Sequence, residues 1–452
     1  MKDSNFLKEN NARYLWHPMG HPRDSLENAP KIITSASGVR IRDIDGHETI
    51  DAVGGLWNVN LGYSCEPIKA AMADQLSRLP YYSGFAGTTN DAAVELSFEL
   101  QEWFRPEGMV RAFFTSGGSD SVETCLRLAR QYHFARGESG RTKFLSLKKG
   151  YHGTHFGGAS VNGNNRFRTA YEPLLAGCFH IASPYTYRNP FNETDPERLA
   201  ENCACALEDE IAFQGAETIA AFIMEPILGA GGVIVPDPTF MPRVREICER
   251  HGILLISDEV ITGFGRTGDW SGARHWGVRP DLMSIAKAIT SGYFPFGAAL
   301  VSGKVADVFE SDTSGRANIG HGYTYSAHPV GAAAAIACLE ETRRQDVVVN
   351  AAARGTELFE GLTALADKHD LVGDVRGGHG LMTAIELVAD RDSKTPVEGS
   401  LAAAVQRRAY ESGVMVRISG HIVLLSPPLI ISSEDIQTVI SAIDEALGHV
   451  TS

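Results

Sequence analysis

Four short groups of residues stand just past apolar runs that read as strands. Gly117-Gly118-Ser119 follows the run 112–115, Glu225 follows 219–224, Asp258 closes 253–257, and Lys287 follows 282–286. In open α/β sheets, ligands sit beyond the carboxyl ends of strands. A glycine-rich turn entering a helix offers free N–H groups and the positive end of the helix dipole to a phosphate. A lysine amine forms a Schiff base with an aldehyde. An aspartate beside a ring nitrogen keeps that nitrogen protonated, which makes the ring an electron sink. Each feature alone is weak. Together they call for one ligand with a phosphate, an aldehyde and a ring nitrogen. Pyridoxal phosphate carries all three, and a lysine released from it can then move a proton as general acid and base.

The elements that must position these groups follow from the pattern. The strands are apolar throughout and alternate with helices, as at 242–251. Such strands belong to a parallel sheet covered on both faces, so the middle of the chain is α/β. Residues 39–51 alternate apolar and polar about an Asp-Gly turn, which predicts a hairpin. The start, to about residue 61, otherwise reads as loops and short strands. After about Tyr323 the texture changes. A long helix starts at His328, strands are expected at 380–387 and 413–417, and Ser433 is expected to cap a terminal helix. We expect an N-terminal segment over 1–61, a large domain over 62–322 and a small α+β domain over 323–452, which the N-terminal segment joins.

The sequence resembles the class III aminotransferases of the ω-amino acid:pyruvate type, in the fold-type I pyridoxal-phosphate superfamily. The resemblance runs over nearly the whole chain. It is carried by Gly55-Leu-Trp57-Asn-Val-Asn-Leu-Gly-Tyr63, Lys149-Gly-Tyr151-His152-Gly153 and Glu225-Pro-Ile-Leu-Gly-Ala-Gly-Gly232. It continues through Ser257-Asp258-Glu259-Val260-Ile-Thr-Gly-Phe-Gly-Arg-Thr-Gly268, Ala286-Lys287-Ala288 and His321-Gly-Tyr-Thr324-Tyr-Ser-Ala-His-Pro329. It implies a mostly parallel, seven-stranded-type sheet in the large domain. It also implies pyridoxal 5'-phosphate as cofactor and a homodimer with active sites at the interface; dimer and tetramer both stay open.

By the same resemblance, Lys287 is the Schiff-base lysine and Asp258 pairs with the pyridine nitrogen. Val260 and Tyr151 cover the two ring faces, and Glu225 lies near the ring's 3-hydroxyl side. Gly117, Gly118 and Ser119 bind the phosphate, and Thr324 reaches the same phosphate from the partner subunit. His152 joins the cofactor pocket. His152 and His155 sit in a glycine-rich turn and read as structural, with no metal expected. Arg417 falls at the position of the arginine that pairs with a substrate carboxylate and swings aside for apolar donors. Trp57, Tyr151 and Met19 would wall the substrate pocket, with Phe85 reaching in from the neighbouring subunit. One departure stands out. The family usually reads Asn-Ser-Gly-Ser/Thr where this chain reads Ser116-Gly117-Gly118-Ser119, so somewhat weaker phosphate binding is expected.

Arg13 and Arg23 do not match the carboxylate-binding arginines of ornithine and 4-aminobutyrate enzymes. The expected reaction therefore moves an amino group from an ω-amino acid or primary amine to pyruvate, with ping-pong kinetics. Another acceptor such as 2-oxoglutarate, or an aminomutase or decarboxylase on the same scaffold, stays open.

Composition agrees. The chain has 452 residues, 43% hydrophobic and 21% charged, with a formal charge of −14, which suits a globular protein and opposes nucleic-acid binding. Seven scattered cysteines, without a CxxC pair, predict a reducing cytoplasm rather than a disulfide scaffold. No apolar leader and no membrane span are expected. The Gly263-Phe-Gly265-Arg-Thr-Gly268 match to GxGxxG lacks the apolar-periodic helix that dinucleotide binding requires.

Overall fold

The computed structural model describes residues 3–85 and 87–451. Its centre is a seven-stranded sheet in the order Met109–Thr115, Gly297–Ser302, Leu282–Ala286, Leu254–Asp258, Ile219–Met224, Lys143–Leu147, Cys178–Ile181. Gly297–Ser302 runs antiparallel to both neighbours; the other pairings are parallel. The apolar runs are buried because helices cover both faces. Successive strand residues point to opposite faces. In Ile219–Met224, Ala221 and Ile223 meet Val122, Leu126 and Ala129 of the helix Gly118–Ala135. Phe222 and Met224 meet Leu199, Leu207, Val244 and Ile247 of the helices Pro196–Gln214 and Phe240–Arg250. The strand ends at Thr115, Met224, Asp258 and Ala286 all lie along one edge of this sheet, which brings the four chemical groups together.

A second sheet has the order Val372–Arg376, Thr383–Asp390, Ile422–Leu425, Arg417–Ser419, with Thr395–Pro396 paired on its side. The helices Val347–Lys368, Gly399–Glu411 and Ser433–Thr451 share an apolar cluster with it, through Leu358, Val405 and Ile443. The expected hairpin is present as Arg40–Asp43 and Glu48–Asp51. Glu48–Asp51 also pairs in parallel with Val414–Met415, matching Ile50 to Val414. The start of the chain is therefore stitched to its last quarter.

Three local readings change. Residues 4–14 and 22–27 are helices rather than loops. The first has no buried residue, so no apolar stripe announces it; the Asp3 carboxylate caps it by accepting from Phe6 N–H at 2.9 Å. The terminal helix is capped by Ser432, not Ser433: Ser432 Oγ accepts from Asp435 N–H at 3.1 Å, while Ser433 Oγ donates to Glu357. The strand expected at 413–417 splits, because Val414–Met415 pairs with the N-terminal segment and Arg417–Ser419 with the second sheet.

Gly263–Gly268 forms a packed turn with no long helix behind it. Its Arg266 is 0% exposed. The guanidinium donates to Leu381 O at 2.8 Å, Pro427 O at 2.6 Å and Asn60 Oδ1 at 2.7 Å. One cation thus ties three distant parts of the chain, and the glycines serve that close packing.

Candidate active site

Lys287 leaves its strand with φ of 52°, a left-handed conformation that costs a non-glycine residue roughly 1–3 kcal/mol. The turn delivers its amine into a cavity of about 400 Å³ that Asp258, Glu225, Tyr151 and Gly118 also line. Burial pushes the amine down to about 8, against the opposing pull of Asp258 and Glu225; the Arg417 and Arg266 charges push the same way as burial. An amine so depressed is reactive near neutral pH.

Asp258 is 3% exposed and fully engaged. It accepts from His152 Nδ1 at 2.8 Å, from Ser284 Oγ at 2.9 Å and from Val260 N–H at 3.2 Å. A carboxylate can only accept, so His152 Nδ1 donates to it, while Nε2 has no hydrogen-bond partner among the described residues. Glu225 accepts from Tyr151 N–H at 2.9 Å and Gly229 N–H at 3.0 Å. Burial pushes its carboxyl up to about 7; His152 opposes that shift and the nearby Asp258 charge adds to it.

The glycine-rich turn after Thr115 is built from backbone. Gly117 precedes the helix Gly118–Ala135 and offers no side-chain cap. A Cβ at Gly118 would lie 2.9 Å from Val260 Cγ1, so glycine there permits the turn to approach Val260. Ser119 Oγ accepts from Thr154 N–H at 3.1 Å. At Gly117, by contrast, a Cβ would meet nothing within 4 Å. Its φ of 174° is extended backbone open to any residue. Gly117→Ser should fit without strain and tighten pyridoxal-phosphate binding roughly fivefold through one added hydroxyl. Titration of the apo-protein measures this, and an unchanged dissociation constant would refute it.

The residues present fit the cofactor. The cavity joins a helix N-terminus for a phosphate, a buried carboxylate for a ring nitrogen and a depressed amine for an aldehyde. Gly117, Gly118, Ser119, Tyr151, His152, Glu225, Asp258, Val260 and Lys287 all line it. Tyr151 packs against Phe167, with ring centroids 4.9 Å apart. Arg417 stands near Tyr151, half-buried, with no hydrogen-bond or ion-pair partner among the described residues; burial lowers it, and so does the nearby charge of Arg166.

Other expected residues lie elsewhere. Trp57 is 2% exposed, packs in the apolar cluster with Leu228, Met382 and Leu424, and does not line this cavity of its own chain. Left-handed backbone at Gly54, Gly55 and Trp57 itself turns the chain here, and Leu56 and Asn58 line the cavity instead. Met19 is 51% exposed and lines a neighbouring chamber. Phe85 and Thr324 are exposed and do not line the cavity of their own chain. They belong to adjoining segments: Tyr81 OH donates to Thr324 O at 2.8 Å, and Phe85 packs against Gly322. Ser284, which holds Asp258, was missed. A lone polar residue inside the apolar strand Leu282–Ala286 was its available signal. Phe294 and Phe296 also wall the cavity and carry no distinguishing pattern.

Among the described residues no group of three His, Cys, Asp or Glu side chains is arranged to hold a metal. No helix among them is long and apolar enough to cross a membrane.

The family profile described as "Aminotransferase class-III" matches residues 23–447. The putrescine–pyruvate aminotransferase of Pseudomonas aeruginosa is 36% identical over 424 residues, covering 94% of this chain and 91% of that protein. The diaminobutyrate–2-oxoglutarate transaminase of Halomonas elongata is 34% identical over 453 residues, covering 98% and 96%. Among solved structures, an amine transaminase from an uncultivated Pseudomonas species, in its PLP-bound form, superposes with a TM-score of 0.95. It is 46% identical, with 96% of this chain and 98% of that chain covered.

Proposed function

The chain belongs to the class III aminotransferases, a pyridoxal-phosphate-dependent family, and from that membership we propose that it moves an amino group from an ω-amino acid or primary amine to pyruvate, forming alanine. The observation that carries the acceptor is Arg417. It is an unpaired, half-buried guanidinium near Tyr151, a wall of the cavity that Arg417 does not itself line, and that cavity is largely apolar, with Leu56, Val260, Ile261 and Phe294. One carboxylate on a small keto acid satisfies that arrangement. The pyruvate-dependent relative supports it, whereas the relative that uses 2-oxoglutarate keeps a second acceptor in view.

When bound, pyridoxal phosphate supplies an aldehyde that takes up the amino group and a ring that accepts the electrons left when the substrate loses its proton. The chain's own residues do the rest. Lys287 Nζ takes that proton and returns it at the other carbon, as one base serving both half-reactions. Asp258, oriented by His152 and Ser284, holds a positive charge at the ring nitrogen. Glu225 is poised near neutrality and exchanges a proton at low cost. Tyr151 and Val260 would hold the ring, and Gly118 and Ser119 would offer N–H groups to the phosphate. Arg417 orients the keto-acid carboxylate. Phe85 and Thr324, exposed and adjoining, are the residues a second copy would receive, which supports an interface site in a homodimer.

The test follows the visible absorbance of the holoenzyme through the two half-reactions. Bleaching on adding an amine donor, then recovery with pyruvate, is expected. Recovery with 2-oxoglutarate but not pyruvate would replace the acceptor; turnover without any keto acid would move the assignment to a mutase or decarboxylase. Arg417→Ala should lower kcat/KM for pyruvate about 100-fold, the size of a bidentate charge-assisted contact, and lower the half-reaction with a neutral amine far less. Equal losses in the two half-reactions would exclude the carboxylate role.

A further inference from the structure

Beside the active-site cavity lies a second chamber of about 230 Å³. Gly153 lines both. Phe167, a wall of the chamber, packs against Tyr151, a wall of the cavity. The two spaces therefore adjoin, and the chamber extends the site away from Lys287. Its lining is apolar or small, through Met19, Phe156, Phe167, Tyr171 and Leu174, with one charged exception, Arg166.

Arg166 is exposed but aimed. Its Nη2 donates to Met19 O at 3.3 Å, and its guanidinium lies 5.9 Å from the centre of the Phe167 ring. These contacts hold the charge at the chamber wall without neutralising it. No carboxylate pairs with it among the described residues. Its neighbour Glu172 is engaged by Arg168 at 3.2 Å. No acidic residue lines the chamber, and the cavity's own acids, Glu225 and Asp258, are occupied by the bonds described above. Arg166 is also close enough to Arg417 to lower its affinity for protons. The chamber thus carries one guanidinium, with a second close by, and no acidic residue in its lining. Such a field attracts anionic groups and repels cationic ones.

We propose that Arg166 reads a second, anionic group at the far end of the amine donor, so that donors with a carboxylate or sulfonate tail are preferred to donors with a neutral tail and to diamines. The proposal rests on the aminotransferase reading and narrows its donor. The donor's amine enters beside Lys287, its carbon chain lies along Phe167 and Tyr171, and its anionic end meets Arg166. The apolar walls exact no cost from methylene groups, while a terminal ammonium meets the like charge of Arg166 and no carboxylate in the chamber lining.

The experiment holds pyruvate at saturation and compares three donors of one length: ω-aminohexanoate, hexylamine and hexanediamine. The wild-type enzyme is expected to prefer the carboxylate tail. Arg166→Gln should lower the ratio of kcat/KM for ω-aminohexanoate to that for hexylamine about tenfold, mainly through KM. It should also raise the ratio for hexanediamine. Arg166→Lys, which keeps the charge, should keep most of the wild-type ratio. An unchanged ratio in the Gln variant overturns the proposal. So does an equal loss in the Lys variant, which would assign Arg166 to holding Met19 in place. Wild-type turnover of hexylamine with pyruvate tests the parent reading separately: if it is present and the ratios stay flat, only the anion subsite falls.

Discussion

Lys287→Ala is expected to lower turnover by at least about 10⁴-fold, the upper range for loss of a positioned acid and base. No other lysine lines the cavity. Lys149, two residues before Tyr151, is tied to a different set of charges, with Glu386, Arg376 and Arg188 around it. The variant should still bind pyridoxal phosphate, because the Gly118–Ser119 turn and Asp258 are untouched. Fluorescence of the bound cofactor separates that retained binding from lost chemistry. A small primary amine added to the buffer should restore a measurable fraction of the single-turnover rate by carrying the proton in place of Nζ. Turnover above a thousandth of wild type without added amine would remove Lys287 from its assigned role.

Asp258→Asn should be the second most damaging change, with kcat lowered roughly 10³-fold, the scale of losing one preorganised electrostatic contact at a buried centre. Asparagine keeps the shape but not the charge. Its amide must still accept from His152 Nδ1 and Ser284 Oγ, which today meet the two carboxylate oxygens separately. One of those donors would then face an NH₂ group across less than 3 Å, at a site almost closed to water. The loss should fall on kcat in both half-reactions, with a smaller change in KM, because the charge matters most as the substrate proton leaves. A variant that lost only cofactor affinity would mean that Asp258 anchors the ring without tuning it.

Much of this site was legible because parallel strands impose order. Once the apolar runs are read as neighbouring strands, Gly117, Glu225, Asp258 and Lys287 must share one edge, whatever the loops do. The roles beyond that edge came from the family resemblance. Reading failed where side-chain direction depends on unusual backbone. The resemblance sets Trp57 at the pocket wall, and left-handed backbone at Gly54, Gly55 and Trp57 itself packs its ring into an apolar cluster beside the cavity instead. The helix Ser4–Tyr14 escaped because an exposed helix has no stripe to display. Arg166 was invisible for another reason. Nothing in Asn-Asn-Arg-Phe marks it, and its meaning comes only from the chamber that folding builds around Met19 and Phe167. Ser284 was readable, as a hydroxyl placed where an aliphatic residue would otherwise continue the strand.

The pairing of Ile50 with Val414 sets a timetable for synthesis. Residues 48–51 emerge early, yet their outer neighbour is translated more than 360 residues later. At about 5–20 residues per second, the N-terminal hairpin waits roughly 20–70 s on the ribosome with an open edge. Open edges invite pairing with other chains, and here the edge strand is short, with Glu48 and the nearby Arg42 charged. Nascent chains stalled before residue 414 should therefore be the chaperone-dependent and protease-sensitive forms, whereas chains released past residue 425 can complete the hairpin's outer pairing and the second sheet in one step.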